Sequence, residues 1–399
     1  MQSLFQKIEP LLREVHHPSQ YIGHEFNGVQ IDPAKSNQFN FCMVYPDLYS
    51  VGQSNQAVRI LCNRVNALEC FAAQRAFLPE PKTQVIFAQN DISMFSLETF
   101  SPLKEFDAVG ITVSHDLLAT NILEVLHFSE IPIFSKDRKL NDPFIFGGGP
   151  MCCNPEPYHA FFDVITIGEG ELATIEALKV LKELKAKNLN REEILHELSK
   201  LPSIYVPSMY EQSSDGLQVQ PKYEDVPKTI KKAVFDGFSE SDAYENCIVP
   251  YSEIVHDRLN VEILRGCARG CRFCQAGIMY RPVRERSKQN ICDGVITGLD
   301  DTGYDEVSLT SLSSTDHSQI QDILQNLNKE FEGKGIRLSI PSQRLDSFGV
   351  DMAKLVAGNK KGGLTFAIEA GSQRLRNVIN KNVSEDDIFS AVNSAFANG

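Results

Sequence analysis

The sequence predicts an α/β protein in which an open, Rossmann-like parallel sheet is followed by a second strand-and-helix series. Three observations carry this. Short apolar runs alternate with amphipathic helical patterns, as in parallel strands joined by crossover helices. The alternation gives way to a charged stretch after Glu171 and restarts near Val249. The chain of 399 residues is 42% hydrophobic and 23% charged, an ordinary globular composition, and at roughly 150 residues per domain it holds two or three cores.

MQSLFQKIEPLLREV reads as a short amphipathic helix, too charged to be a secretory signal. FNFCMVY (39–45) is a buried strand ended by Pro46 and Asp47, and Val58, Leu61, Val65 and Leu68 recur at helical spacing. TQVIF (83–87) is expected as a second strand, AVGITVS (108–114) as a third, PFIFGG (143–148) as a fourth and DVITIGEGE (163–171) as a fifth. A helix near 117–128 follows the third. Residues 1–171 are thus the first domain and 172–245 a connector, helical to about 200 and then a hairpin, SMYEQSSDGLQVQPKY, turning at SSDG. Residues 246–399 hold strands at 261–266, 306–312, 336–342 and 363–370, with helices near 287–300, 318–331 and 346–357. Ser384 caps a last helix with Glu385, Asp386 and Asp387 in its first turn.

The charge balance excludes some function classes. With 52 acidic and 39 basic residues the net charge is −13, so neither a membrane surface nor nucleic acid is a general partner. No apolar run approaches the ~20 residues that span a bilayer. Without a leader the expected compartment is the reducing cytoplasm, where ten cysteines serve as core thiols, ligands or catalytic groups rather than disulfides.

Three of the ten stand out in Arg265-Gly266-Cys267-Ala268-Arg269-Gly270-Cys271-Arg272-Phe273-Cys274, a CxxxCxxC spacing directly after a strand. Three thiolates on one loop hold three irons of a cubane and leave the fourth open, since four ligands are the norm. Gly266 and Gly270 let the backbone wrap a bulky inorganic core. Structural zinc and unlinked core thiols are the alternatives. Zinc prefers four protein ligands, usually in pairs separated by a longer gap, and Cys292, the spare candidate, lies in a predicted helix.

In that context CxxxCxxC resembles the signature of the radical S-adenosylmethionine (radical SAM) superfamily, with motif and strand order covering 249–399. The resemblance implies a full or partial (βα) barrel with the cofactor at the C-terminal ends of the strands. It implies a [4Fe–4S] cluster on Cys267, Cys271 and Cys274, and an open iron that chelates S-adenosylmethionine. It also implies one-electron cleavage of that cofactor to a 5′-deoxyadenosyl radical. Phe273 matches the aromatic that lies against adenine. The second strand of the superfamily ends in a Gly-Gly-Glu-like motif that holds the methionine amino group. Here that place reads Ser311-Leu312-Ser313-Ser314, so the hydroxyls of Ser311 and Ser313 are the substitutes. Arg344 is placed to meet a carboxylate. Glu369 is placed to accept from ribose hydroxyls, or else to pair with a neighbouring arginine.

Arginines crowd this segment (Arg258, Arg265, Arg269, Arg272, Arg281, Arg284 and Arg286), which suits an anionic substrate or a reducing partner such as flavodoxin or ferredoxin, or is a solvated basic face. The first domain carries GGGP (147–150) and GEGE (168–171) at strand ends but no G-x-G-x-x-G. It resembles the cobalamin-binding modules of the cobalamin-dependent subgroup. Such modules ligate cobalt through Asp-x-His-x-x-Gly, whereas this chain has Asp47-Leu48-Tyr49-Ser50-Val51-Gly52. Cobalamin held without a histidine lower ligand and a domain that packs on the barrel or binds substrate both remain open. YIGHEF, YPDLYSVG, RGCARGCRFC, SLTSLSS, PSQR and NKNVSEDD complete the likeness to a widespread bacterial radical SAM family.

The expected function is therefore a radical SAM iron–sulfur enzyme of unknown substrate, with methyl or thiomethyl transfer among its reactions. The alternative is a non-catalytic zinc or iron–sulfur binding or assembly protein. The superfamily barrel has more βα units than the four read here, so the sequence predicts a chain truncated at its C-terminal end, with 363–370 as an edge strand.

Overall fold

The computed structural model describes residues 4–31, 38–216, 218–241, 244, 246–345, 352, 355 and 364–397. The chain divides into two compact units, Met1–Phe235 with Ile248–Val255, and Asp236–Cys247 with His256–Gly399.

The first unit opens on α1 (Leu4–Ile8) and a 3₁₀ turn that bury Ile8, Leu11 and Val15. Its sheet has the order β2-β1-β3-β4-β5-β6. The strands are β1 (Phe39–Tyr45), β2 (Phe71–Phe77), β3 (Ala108–Thr112), β4 (Phe144–Gly148), β5 (Val164–Thr166) and β6 (Ile204–Tyr205). All pair in parallel except β6, which runs antiparallel on the edge. This is a doubly wound sheet whose order reverses between β1 and β3. The crossovers include α2 (Tyr49–Gly52), α3 (Gln56–Asn66), α4 (Pro81–Gln89), α5 (Ala119–Phe128) and α6 (Gly170–Lys185).

One expected strand is replaced by another segment. TQVIF is not a strand: it lies in α4, with Pro81 at the first helical position and Thr83 and Phe87 buried four residues apart, while Val85 is exposed. The second strand is FAAQRAF (71–77), buried at every position. Its polar centre disguised it. Gln74 Oε1 accepts from Thr99, and Arg75 sits between Glu25 and Glu98, with Nε to Glu98 at 2.7 Å. Loop residue Leu97 donates to the Arg75 carbonyl at 2.9 Å, which covers this edge of the sheet.

The stretch 172–235, expected as a connector, is packed into this unit. Helix α7 (Arg191–Ser199) is closed by a capping box at Asn190, and Ile194 and Leu198 are fully buried. Arg191 and the buried Arg138 both reach Asp163, at 2.8 and 2.9 Å. The hairpin forms as expected, with β7 (Tyr210–Gln212) antiparallel to β8 (Val219–Pro221).

The second unit has its own core and a three-stranded parallel sheet in the order β13-β12-β9. Its strands are β9 (Leu259–Glu262), β12 (Glu306–Thr310) and β13 (Arg337–Ser339), and a two-residue antiparallel pair, β10 (Leu264–Arg265) with β11 (Arg284–Glu285), brackets the cysteine segment. Between them lie α8 (Ala276–Met279), α9 (Lys288–Thr302) and α10 (Ile320–Glu330). Gly303 ends α9 in the left-handed conformation (φ 71°). The expected helix 346–357 falls almost wholly outside the described residues. The expected fourth strand, 363–370, is reduced among the described residues to one parallel bridge, Phe366 to Gln343. Apolar residues alternate there, but Glu369 lies at φ 69°, which extended backbone does not allow. The last helix runs Glu385–Ala397, and Ser384 Oγ accepts from Asp387 N at 3.1 Å while the Asp387 carboxylate accepts from Ser384 N at 2.8 Å.

Candidate functional site

The cysteine loop starts where β10 ends, at Gly266 (φ 89°), and turns again at Gly270 (φ 70°). A side chain at Gly266 would come within 2.6 Å of the Tyr280 carbonyl, so this position requires glycine. Cys267, Cys271 and Cys274 are free thiols and half-buried. Gly277 N–H donates to Cys274 Sγ at 3.3 Å. Among the described residues no three histidine, cysteine or acidic side chains close to the spacing of a single metal ion.

Beside the loop is an open cavity of about 420 Å³, lined among others by Gly266, Cys267, Arg269, Ser313 and Asp316. That volume is in the range of small-molecule sites. Arg269 grips the Asp316 carboxylate with two nitrogens, Nε at 2.8 Å. Burial alone would raise the Asp316 carboxyl, but the Arg269 guanidinium, with the charge of Arg344 behind it, holds it below the usual carboxylate value. Ser313 is 3% exposed, and its hydroxyl lies toward Asp316 without a hydrogen bond of normal geometry.

The other expected residues fall in distinct places. Ser311 Oγ bonds Ser314 Oγ at 2.9 Å and accepts from Ser313 N at 3.0 Å, so this hydroxyl shapes its own turn rather than facing the cavity. Phe273 is 53% exposed, an apolar ring held in the open beside Cys274. Arg344 sits after β13, its backbone N–H donating to Thr315 Oγ1 at 3.3 Å. Glu369 is paired not with an arginine but with Lys381 Nζ at 3.3 Å. The basic segment is largely committed to structure. Arg286 is 5% exposed and donates to the carbonyls of Glu262, Phe238 and Ser241, and Arg265 pairs Glu262 over the Phe238 ring. Arg258 pairs Glu306 at 2.9 Å, and Arg272 bonds the Val378 carbonyl. Sequence reasoning missed Asp316 and Asn380. The signal for the first was an acid two residues beyond a strand-end serine run, and for the second an asparagine in a turn.

In the first unit, Tyr49 is 3% exposed and its hydroxyl donates to Glu25. It is turned into the core and offers no ligand at the sheet edge. The GEGE glycine is filled by the chain itself, since a side chain at Gly168 would strike the Ala233 backbone at 2.5 Å. The end of β4 is open: a side chain at Gly148 would meet nothing within 4 Å, and Leu117, after β3, is 85% exposed. The C-terminal ends of β3 and β4 are thus uncrowded, and Tyr49 of the Asp47–Gly52 motif is turned away into the core. Among the described residues no helix is long and apolar enough to cross a membrane.

Comparison with known proteins matches residues 57–207 to the model of the N-terminal region of radical SAM proteins and residues 261–399 to that of the radical SAM superfamily. An uncharacterised protein of Methanocaldococcus jannaschii is 27% identical over 362 residues, covering 89% of this chain and 66% of the relative. The radical S-adenosylmethionine methyltransferase TsrM of Kitasatospora setae, solved with cobalamin and a [4Fe–4S] cluster, has a similar fold. Its TM-score is 0.59 at 13% identity, over 91% of this chain and 65% of that one. The same enzyme with tryptophan and the cofactor analogue aza-SAM aligns at 0.56 and 13%, over 90% of this chain and 66% of that one. This chain therefore spans just under two thirds of the length of the relatives it matches.

Proposed function

Because the chain belongs to the radical SAM superfamily, we propose that it is the radical-generating part of an enzyme whose Cys267, Cys271 and Cys274 hold a [4Fe–4S] cluster. The observation that carries this is the loop itself: three free, half-buried thiols on a twice-turned backbone beside a cavity of about 420 Å³. When bound, the reduced cluster supplies one electron to S-adenosylmethionine, releasing methionine and a 5′-deoxyadenosyl radical that takes hydrogen from a substrate. The residues of this chain bind and orient. Asp316, kept ionised by Arg269, accepts hydrogen bonds from the methionine amino group, the part that a Gly-Gly-Glu motif would play. Ser313 supplies a hydroxyl without a settled partner, Arg344 meets the carboxylate, and Phe273 offers its exposed face to adenine. Ser311 supports the turn, and Glu369 reaches the ribose only by leaving Lys381.

The first unit is proposed to take cobalamin at the open ends of β1, β3 and β4, with no lower ligand from Tyr49. The likeness of fold to a cobalamin-dependent methyltransferase supports methyl or thiomethyl transfer as the reaction class, and a flavodoxin or ferredoxin supplies the electron. Equilibrium dialysis with hydroxocobalamin tests the first unit: retention supports the cofactor, and none makes the domain a scaffold or substrate platform.

Anaerobic purification separates the main reading from a zinc or assembly protein. Brown protein with about four irons that forms 5′-deoxyadenosine on reduction supports the enzyme. Colourless protein with one zinc overturns it. Asp316→Asn is expected to keep its iron yet bind S-adenosylmethionine about 10-fold more weakly or worse, the cost of losing a charge-assisted hydrogen bond. Unchanged affinity in a calorimetric titration would remove Asp316 from the site.

A further inference from the structure

We infer that Asn380 is a positioning residue for the cysteine loop, turning the loop's peptide dipoles toward the cluster. The inference rests on the cluster assignment proposed above.

The brace begins at Arg376, 1% exposed, on the helix Gln373–Val378. Its guanidinium donates to Val383 O at 2.9 Å, to Ala370 O at 3.0 Å and to Gln373 Oε1 at 3.0 Å. These bonds tie the far end of the turn after the helix, at Val383, to the segment that leads into the helix, at Ala370 and Gln373. The turn meets the cysteine loop through Arg272 and Asn380, and the Asn380 side-chain amide also reaches Arg269 O at 3.5 Å. Arg272 N–H donates to Ile379 O at 3.0 Å, the Arg272 guanidinium donates to Val378 O, and Asn380 Nδ2 donates to Gly270 O at 2.8 Å. Asn380 stands at φ 56°, in the left-handed region that asparagine tolerates better than most side chains. Such a conformation is strained, persists only where its surroundings hold it, and clusters at functional sites. Here it aims the side-chain amide at the peptide between the first and second cysteines.

In a trans peptide the carbonyl and the following N–H point opposite ways. Fixing Gly270 O on Asn380 therefore directs the Cys271 N–H away from the brace, and among the described residues this N–H has no protein acceptor. Cys274 Sγ already accepts one backbone N–H, from Gly277. A second, from Cys271, would serve a sulfur of the cluster. Donors to cluster sulfurs stabilise the more negative, reduced state and raise the potential. Asn380 acts through the loop and touches no reacting atom.

The test uses the full chain. Asn380→Gly removes the amide and leaves the left-handed turn free of strain, and Asn380→Asp keeps the shape but cannot donate. Both are expected to melt as the wild type does and to load iron. Both should surrender it to a chelator about 10-fold faster, the usual effect of losing an outer partner of a metal ligand. Their clusters should be reduced at a more negative potential, with an altered electron paramagnetic resonance spectrum. In iron-free protein, amide exchange over 267–275 should quicken. Wild-type release, potential and exchange in both variants would overturn the role of Asn380 and leave the cluster standing. A wild-type chain that takes up no iron would overturn both.

Discussion

Replacing any one of Cys267, Cys271 or Cys274 with alanine is expected to abolish iron retention. Four-ligand coordination is the norm for a cubane, and three protein thiolates already leave one iron to another ligand. Losing one of the three leaves a second iron without a protein ligand. Cys152→Ala and Cys292→Ala are the controls. Cys152 is fully buried in the first unit, where burial pushes its thiol up to about 12, a poor ligand at neutral pH. Cys292 lies on α9, and burial raises its thiol as well. Iron analysis after anaerobic reconstitution checks the set. Near-background iron in the three loop variants and wild-type iron in the two controls is the expected pattern. Loss of iron in Cys152→Ala as complete as in Cys267→Ala would refute the three-ligand assignment.

The largest effect on stability is expected from Arg75→Met. The guanidinium lies 4% exposed on β2, between Glu25 and Glu98, which are equally enclosed. Its Nη1 also donates to Gln53 Oε1 at 2.6 Å, and Tyr49 completes the group by donating to Glu25. Burial works to lower the guanidinium, but Glu98 and Glu25 outweigh it and raise it, so the charge stays. Methionine fills similar space but leaves two buried carboxylates facing each other. Removing one partner of a buried ion pair costs about 3–5 kcal/mol, most of it the penalty on the charge left behind. Chemical denaturation of the variant should show that loss. Adding Glu25→Gln and Glu98→Gln should restore much of it, because the uncompensated charges are then gone. A single variant within about 1 kcal/mol of wild type would mean the triad is solvated, as exposed pairs are.

The same triad explains what the sequence withheld. β1, β3 and β4 were legible because their apolar runs are nearly unbroken, as strands buried on both faces must be. FAAQRAF was not, because Gln74 and Arg75 read as surface residues until Glu25, Glu98 and Thr99 are brought to them from distant segments. TQVIF misled because five residues are too few to separate period two from period 3.6. The cysteine spacing was local and plain. Asp316 and Asn380 were hidden for the opposite reason: each meets the loop across tens of residues of sequence, through Arg269 and Gly270.

The first unit is discontinuous in sequence. Residues 248–255 return to it after the chain has entered the second unit: Val249 bridges Phe26, Tyr251 donates to the His24 carbonyl, and Val255 N–H donates to Ser50 O at 3.0 Å. During synthesis the doubly wound sheet can assemble while later codons are still being read, as N-terminal domains generally do. Its closing strap cannot. The ribosome must first deliver residues 236–247 of the second unit, so the beginning of one module is made before the end of the other. A nascent chain arrested before residue 248 would carry a sheet that protease cuts near His24 and Ser50. Release of some further residues would protect those sites abruptly. The two modules are thus laced together in time, and a gene that exchanged one for a foreign copy would have to exchange the lace with it.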